Sequence, residues 1–389
     1  MTVKTEKLRK CNDKAKNKNF SLLEEGSAPV VLIDGFNQFS SFLQSPFFRK
    51  THEENHVFRG QENGMWQLRS SLDRIVINDF LEQRNKQLEN FRKFVRGRII
   101  NIENYEKTDN ELWAVGQHFA LKTPLLDWTR SIYVALFFAF STNDGKTKEY
   151  RTIYALNREK IEKLFPENSP QERAKLERIL TFFEPVRDDY GRLVNQSGLF
   201  TVQNMDGDLE KHIVSLIASK LESYSRGREE EKVKKLLPYF YKIYFRDTER
   251  KNYILQLQTM NIHHGSLFPD VLGASEYCNL LMQDQLERKL EKEKKSEIYQ
   301  AVRKVLAHKR ASSPQLKNKL KPVGLLTSMI VKIIEENSVE AYMNKIVSGI
   351  IELLTKNQWP KEFHEEIVDS IKTIISEKTE KYEKYKVGW

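Results

Sequence analysis

Hydrophobic residues recur along this chain with two different periods. Val30 to Ile33 (VVLI) is a short apolar run that predicts a buried strand. After the Asp34-Gly35 turn, Phe36, Phe39, Phe42 and Leu43 fall at helical spacing. HVFRGQ at 56–61 predicts a second strand, followed by WQLRSSLDR and a long charged helix over about 78–98. Leu112, Val115 and Phe119 form one stripe of a helix over 109–119. Thr123-Pro124 breaks it, because proline disfavours helix in the residue before it. Leu125 to Trp128 is then extended or a turn, and Thr129 or Ser131 caps a helix carrying the apolar run Ile132 to Phe140. RTIYAL at 151–156 predicts a strand, 170–182 a helix, and LFTVQNM at 199–205 another strand. IHHGSLFPDVLG, at 262–273, reads as a loop or strand with turn residues.

The pattern changes at Gln283, where a long charged helix begins. Ser313-Pro314 and Lys321-Pro322 punctuate a linker, and 323–378 carries two or three amphipathic helices divided at Trp359-Pro360. The expected fold is α+β: a small mixed sheet with packed helices, followed by an all-α C-terminal region. The expected division is a basic flexible arm over 1–20, a main domain over 21–282, a charged helix and linker over 283–322, and a helical domain over 323–389.

Composition adjusts this picture. A net charge of +10 favours contact with polyanions, so the Lys-rich arm is a candidate nucleic-acid contact and the C-terminal helices a candidate surface for a partner protein or self-association. Cys11 and Cys278 are too few for a disulfide framework, which fits a reducing compartment. The N-terminal stretch lacks the apolar core of a secretory signal. The run Ile132 to Phe140 is far shorter than the roughly 20 residues a membrane span needs, so no membrane partner and a cytoplasmic location are expected.

The candidate chemistry is scattered along the chain. Asp127 lies between Leu126 and Trp128, beside the most apolar segment. One reading places it at a helix N-terminus, stabilised by the helix dipole. The other holds it among Leu125, Leu126 and Trp128 in low-dielectric surroundings, where a carboxylate serves as a base, orients a hydroxyl or stabilises a cationic transition state. His118 is a core hydrogen-bonding residue or a pocket residue, and Gln117 points to another helix face. Strand alternation puts Arg59 and Gln61 on one face, with Gly60 between them admitting a backbone or ligand. Arg59 either pairs with a carboxylate, Asp127 among the candidates, or offers its planar fork to a phosphate or carboxylate. Walker A, GxGxxG, HExxH and GxSxG patterns are missing, and His263-His264 has no third ligand at metal spacing, so no metal site is expected.

Together these segments resemble the FRG domain family, named for the Phe-Arg-Gly motif that stands here as Phe58, Arg59 and Gly60, followed by Gln61. Trp66 and Leu68 continue the likeness. QHFALKTPLLDWT is similar to the family's longest signature and carries Gln117, His118, Thr123, Asp127 and Trp128. RLVNQSGLFT, with Arg192, Gln196, Gly198 and Phe200, and NIHHGSLFPDVLG resemble later family segments, so the likeness spans about 28–282. Where the family often has Gly, Pro and Arg, this chain has Ala120, Lys122 and Pro124, and Pro124 supplies no anion contact. The resemblance implies an intracellular, mostly bacterial protein, often in mobile-element or anti-phage settings, without an agreed activity. Its order of an Arg strand, a Thr-bearing segment and a later Gln segment is similar to the general plan of ADP-ribosyltransferases. Two readings stay open, beside a third, a metal-dependent nuclease, that the lack of clustered carboxylates weakens. In one, the protein is an enzyme acting on a nucleotide such as NAD, by ADP-ribosyl transfer or NAD cleavage. There His118, Asp127 and Gln196 take part in catalysis, and Arg59, Gln61, Gln117, Thr123 and Trp128 bind the ligand. In the other, it is a non-catalytic recognition module for nucleic acid or a partner protein.

Overall fold

A computed structural model describes residues 20–383, apart from 25, 54, 77, 100–101, 103–104, 106, 143–148, 223, 313–322 and 337–342. The arm expected over 1–20 lies, except for Phe20, outside the described residues, as does the linker expected between Ser313 and Pro322. The chain forms two compact units, Met1–Glu276 and Tyr277–Trp389.

The first unit is built on a seven-stranded sheet: β1 (Val30–Ile33), β2 (His56–Gln61), β3 (Leu125–Thr129), β4 (Tyr150–Asn157), β5 (Leu180–Phe183), β6 (Gly198–Gln203) and β7 (Phe240–Arg246). Their order is β1-β7-β4-β2-β3-β6-β5. Only β1 and β7 run parallel, and the other pairs are antiparallel, so the sheet is mixed. The helices of this unit are α1 (Phe36–Leu43), α2 (Pro46–Glu53), α3 (Phe80–Phe94), α4 (Asp109–His118), α5 (Ile132–Phe140), α6 (Arg158–Leu164), α7 (Pro170–Glu177), α8 (Arg192–Gln196), α9 (Leu209–Ala218), α10 (Glu229–Leu236), α11 (Arg250–Thr259) and α12 (His264–Leu267). The last four helices are α13 (Val271–Ser312), α14 (Val323–Glu336), α15 (Met343–Lys356) and α16 (His364–Glu383). Among the described residues, no helix is long and apolar enough to cross a membrane.

Both sheet faces are covered. Phe58, Ile153, Ala155 and Ile243 pack on one face against α5 and α11. Val57, Leu126, Trp128, Tyr154 and Leu156 pack on the other, with residues of α6, α7 and α9. Burial on both sides explains why β4 carries apolar residues at consecutive positions rather than strict alternation. α5 is apolar nearly all round because it is a core helix. Ser131 accepts a bond from the Val134 N–H and starts it.

Three elements depart from the sequence reading. The helix expected over 170–182 stops at Glu177, and Leu180–Phe183 joins β6 as the edge strand β5. Tertiary pairing overrides local pattern there. Within 262–273, expected as a loop or strand, short non-helical stretches flank α12, which leads to the start of α13, and the long charged helix begins at Val271, twelve residues before the expected Gln283. His263 caps α12, and the Asp270 carboxylate accepts the Gly273 N–H at the start of α13. In the second unit, Ile298, Val302, Ile330, Ile350, Leu354 and Ile371 share one core. There Glu297 gathers Lys378, Lys381 and Tyr382 at 2.8, 2.6 and 3.0 Å.

The sheet is nearly two sheets. β2 pairs with β4 along all of its residues, and β3 pairs with β6 along all of its own. β2 and β3 share only the Phe58–Thr129 step. Beyond it the strands part. Gly60 lies against α5 on the edge of this opening: a Cβ there would stand 1.9 Å from the Ala135 carbonyl oxygen and 2.7 Å from the Ala139 nitrogen. The close neighbour that Gly60 admits is therefore a helix backbone. Gly60→Ala is expected to destabilise the protein by at least about 1–3 kcal/mol, since backbone must move, as a lower denaturant midpoint would register. A second backbone site behaves oppositely. Ala120, two residues past the end of α4, has φ 63, a left-handed conformation that costs an L side chain about 1–2 kcal/mol. Ala120→Gly is expected to raise the thermal midpoint, by up to about 1 kcal/mol of stability after glycine's larger entropy loss.

Candidate functional site

A cavity of about 420 Å³ lies where β2 and β3 separate. Strand alternation from the Phe58–Thr129 pair sends Arg59 and Asp127 to opposite faces. The gap lets the guanidinium cross. Arg59 Nη1 donates to the Asp127 backbone oxygen at 2.8 Å and lies 3.4 Å from Asp127 Oδ2. The first bond satisfies a carbonyl at the mouth of the opening. The second is too long for a tight ion pair. Arg59 Nε is buried without a hydrogen-bond partner, so the guanidinium is only partly satisfied by the protein.

α4 supplies the next wall. Thr108 caps it by accepting from Glu111 N, and its last turn brings Gln117 and His118 to the cavity. Gln117 Nε2 donates to Asp127 Oδ1 at 2.6 Å. Thr123 donates to Gln117 Oε1, which fixes the amide with its nitrogen toward the acid. Asp127 thus takes a bond from each side, yet its side chain is 55% exposed. The carboxylate is neither at a helix N-terminus, a place Ser131 fills for α5, nor in low-dielectric surroundings. Leu126 and Trp128 point into the opposite apolar layer because β3 alternates, and the apolar neighbours read from sequence do not enclose the acid.

His118 stacks on Tyr190 with ring centroids 3.7 Å apart and planes 16° from parallel. Burial lowers its pKa, and the nearby Arg192 guanidinium lowers it further, so the imidazole is neutral at pH 7. Tyr190 belongs to the segment 184–191, which is tied at several points. Val186 N donates to Glu111 Oε1 at 3.0 Å, Asp188 Oδ2 accepts from Val194 N at 2.7 Å, and Tyr105 donates to Asp189. Gln196 also borders the cavity, but its Nε2 donates to the Leu267 carbonyl at 3.0 Å while its backbone oxygen accepts from Thr129 Oγ1 at 2.6 Å.

Of the residues singled out from sequence, Arg59, Gln61, Gln117, His118, Asp127, Trp128 and Gln196 border the cavity. Thr123 stands behind Gln117, fully buried. Gln61 Nε2 is committed to the Asn63 and Trp66 carbonyls, and the Trp128 indole N–H to Thr201. Sequence reasoning gave no role to Trp66, Arg74 or Tyr190, which also line the space. The WQLRSSLDR stretch held the signal for two of them, an aromatic and an arginine eight residues apart in a segment without regular periodicity. Tyr190 gave no local signal.

The fold and site define an α+β domain whose cavity, apolar-walled with a few polar groups, opens between two diverging strands. The chain carries an FRG domain: the family model so described matches residues 54–148, under a quarter of the 389 residues. That match includes Arg59, Trp66, Arg74, Gln117, His118 and Asp127, whereas Tyr190, Arg192 and Gln196 come from beyond it. No curated protein and no solved structure matches this chain.

Arg192, at the start of α8, holds Asp270 through Nε and Nη2 at 2.5 and 3.1 Å. This bidentate contact, opposed by partial burial and helped by the Gly273 N–H, depresses the Asp270 carboxyl to about 2. A depressed folded-state pKa contributes stability above the unfolded value of 3.8 and loses it as pH falls through about 2. With solvent screening the contribution is about 1 kcal/mol. Unfolding free energies measured between pH 4.5 and 2 are expected to fall less steeply in Asp270→Asn than in the unaltered chain.

Proposed function

We propose that this FRG-domain protein acts on a nucleotide, with NAD as substrate, in ADP-ribosyl transfer or NAD cleavage. The observation that carries the reading is the meeting, in one cavity, of a partly satisfied guanidinium, an exposed carboxylate held in place by an amide, and a neutral histidine. Arg59 holds a phosphate by its remaining N–H groups. Asp127, oriented by Gln117, lies close to the ribose and stabilises the oxocarbenium-like centre as the C1′–nitrogen bond breaks and its electron pair leaves with nicotinamide. C1′ then bonds the oxygen of water or the nucleophile of an acceptor, whose proton passes to solvent. His118 positions a ribose hydroxyl, and Gln61 and Gln196 fix the walls. The biological setting follows the family resemblance: an intracellular bacterial effector against phage. The Lys-rich arm offers a contact for nucleic acid, and the C-terminal helices one for a partner protein or a second copy.

A second reading, a recognition module without catalysis, is favoured by the net charge of +10 and by the existing Arg59–Asp127 contact. One experiment separates the two. Purified full-length protein is incubated with NAD, and released nicotinamide is measured by chromatography. Release above background is expected, falling about 100-fold or more in Asp127→Ala, the usual loss when an electrostatic stabiliser of a transition state is removed. If NAD is neither bound nor consumed and Asp127→Ala leaves cellular toxicity intact, the recognition module becomes the better account.

A further inference from the structure

Among its described residues, the segment between β2 and α3 has no regular secondary structure, yet it is firmly anchored. Asp73, 1% exposed, takes a bond from Arg69 Nε at 2.5 Å, from Gln203 Nε2 at 3.1 Å and from the Gly207 N–H at 3.2 Å. Gln203 Oε1 accepts from Ser70 N at 2.7 Å, and Asp208 accepts from Leu68 N at 3.2 Å. Gln61 Nε2 donates to the Trp66 carbonyl, and Met65 N to Asn63 Oδ1. The result is a rigid display of two side chains at the cavity. Trp66 is 42% exposed although it is the largest residue type, and the Arg74 guanidinium covers one face of its ring, 5.7 Å from the centroid. Arg74 Nε donates to the Arg69 carbonyl at 3.2 Å, which leaves the terminal nitrogens. Among the described residues, no carboxylate lies within ion-pair distance of Arg74. Burial and the charge of Arg59 lower the Arg74 pKa, opposed by the Glu62 carboxylate, which also borders the cavity, so two guanidinium groups face a common space that holds one acid beside them.

Two arginines that line one cavity, neither held in a tight ion pair, beside an open indole face, are complementary to an anion that carries a flat ring. We propose that Arg59 and Arg74 bind the phosphate monoester of a nucleotide between them, and that the open face of Trp66 stacks its base. This inference rests on the nucleotide-directed reading and gives the ligand a direction. Arg59 has Asp127 on one side and Arg74 on the other, so the nucleoside-phosphate half lies toward Trp66 and the reacting ribose toward Asp127, Gln117 and His118. Asp73 and Gln203 are positioning residues for this subsite, since they touch the segment and not the ligand.

The test is calorimetric titration of the full-length protein with AMP, adenosine and inorganic phosphate, in the unaltered chain and in Arg74→Gln, Trp66→Ala and Trp66→Phe. AMP is expected to bind about tenfold or more tightly than adenosine, as one charged hydrogen-bonded contact allows. Arg74→Gln is expected to weaken AMP about tenfold and leave adenosine unchanged. Trp66→Ala is expected to weaken AMP and adenosine alike by about tenfold and spare phosphate, while Trp66→Phe keeps most of the affinity. Thermal melts of all variants check folding, and the tryptophan and arginine variants test the subsite independently. AMP affinity unchanged in both Arg74→Gln and Trp66→Ala, or no AMP binding by the unaltered chain, overturns the subsite. Nicotinamide release with kcat/KM unchanged in those variants removes the subsite and leaves the enzymatic reading standing. The expected AMP pattern without any NAD consumption does the reverse.

Discussion

The single ladder step between Phe58 and Thr129 governs the shape of this domain. Four strands end at β2 on one side, and three begin at β3 on the other. A sheet joined along its full length would have buried its polar edges in paired N–H and C=O groups. Here the strands part immediately, and side chains take over from the ladder. Arg59 donates to the carbonyl of Asp127, and Gln117 reaches the same residue from α4. The opening survives because α5, buried nearly all round, presses its backbone against Gly60 and holds β2 in place.

This arrangement ties function to packing. The polar groups of the cavity come from β2, β3, the end of α4 and the segment before α8, and several are held by hydrogen bonds from neighbouring segments. Thr123 fixes Gln117, Glu111 and Tyr105 fix the segment that carries Tyr190, and Asp73 fixes the loop that carries Trp66 and Arg74. Pre-organised groups of this kind need no reorganisation when a ligand arrives, which is where electrostatic stabilisation is most effective. The mixture of signs also matters. Arg59 and Asp127 meet at a distance that leaves both with capacity for a third party, unlike the buried Lys242–Glu210 pair at 2.6 Å, which closes on itself with the Tyr154 hydroxyl. The first pair stands open at the cavity, and the second is an internal brace.

Most strands and helices were legible because local period reports burial. HVFRGQ, RTIYAL, LFTVQNM and the stripe through Leu112 and Val115 all form the elements their spacing predicts. The failures share a cause. Leu180–Phe183 and the residues around His264 take their structure from partners distant in the chain or from caps that a periodicity argument does not weigh. Asp127 is the sharpest case. Its neighbours Leu126 and Trp128 suggested an enclosed acid, but in a strand adjacent side chains face opposite ways, and the acid emerges on the side its neighbours leave.

The sequence by itself determined the α+β class, the all-helical C-terminal region, the FRG-like motifs and the residues worth watching, because each of these depends on residues close in the chain. Tertiary structure alone decided that β2 and β3 diverge after one shared step, that Arg59 crosses to Asp127, and that Trp66, Arg74 and Tyr190 border the same space. Those facts depend on the relative placement of segments tens of residues apart. Such placement is set by the whole core closing on both faces of the sheet, and no local window contains it.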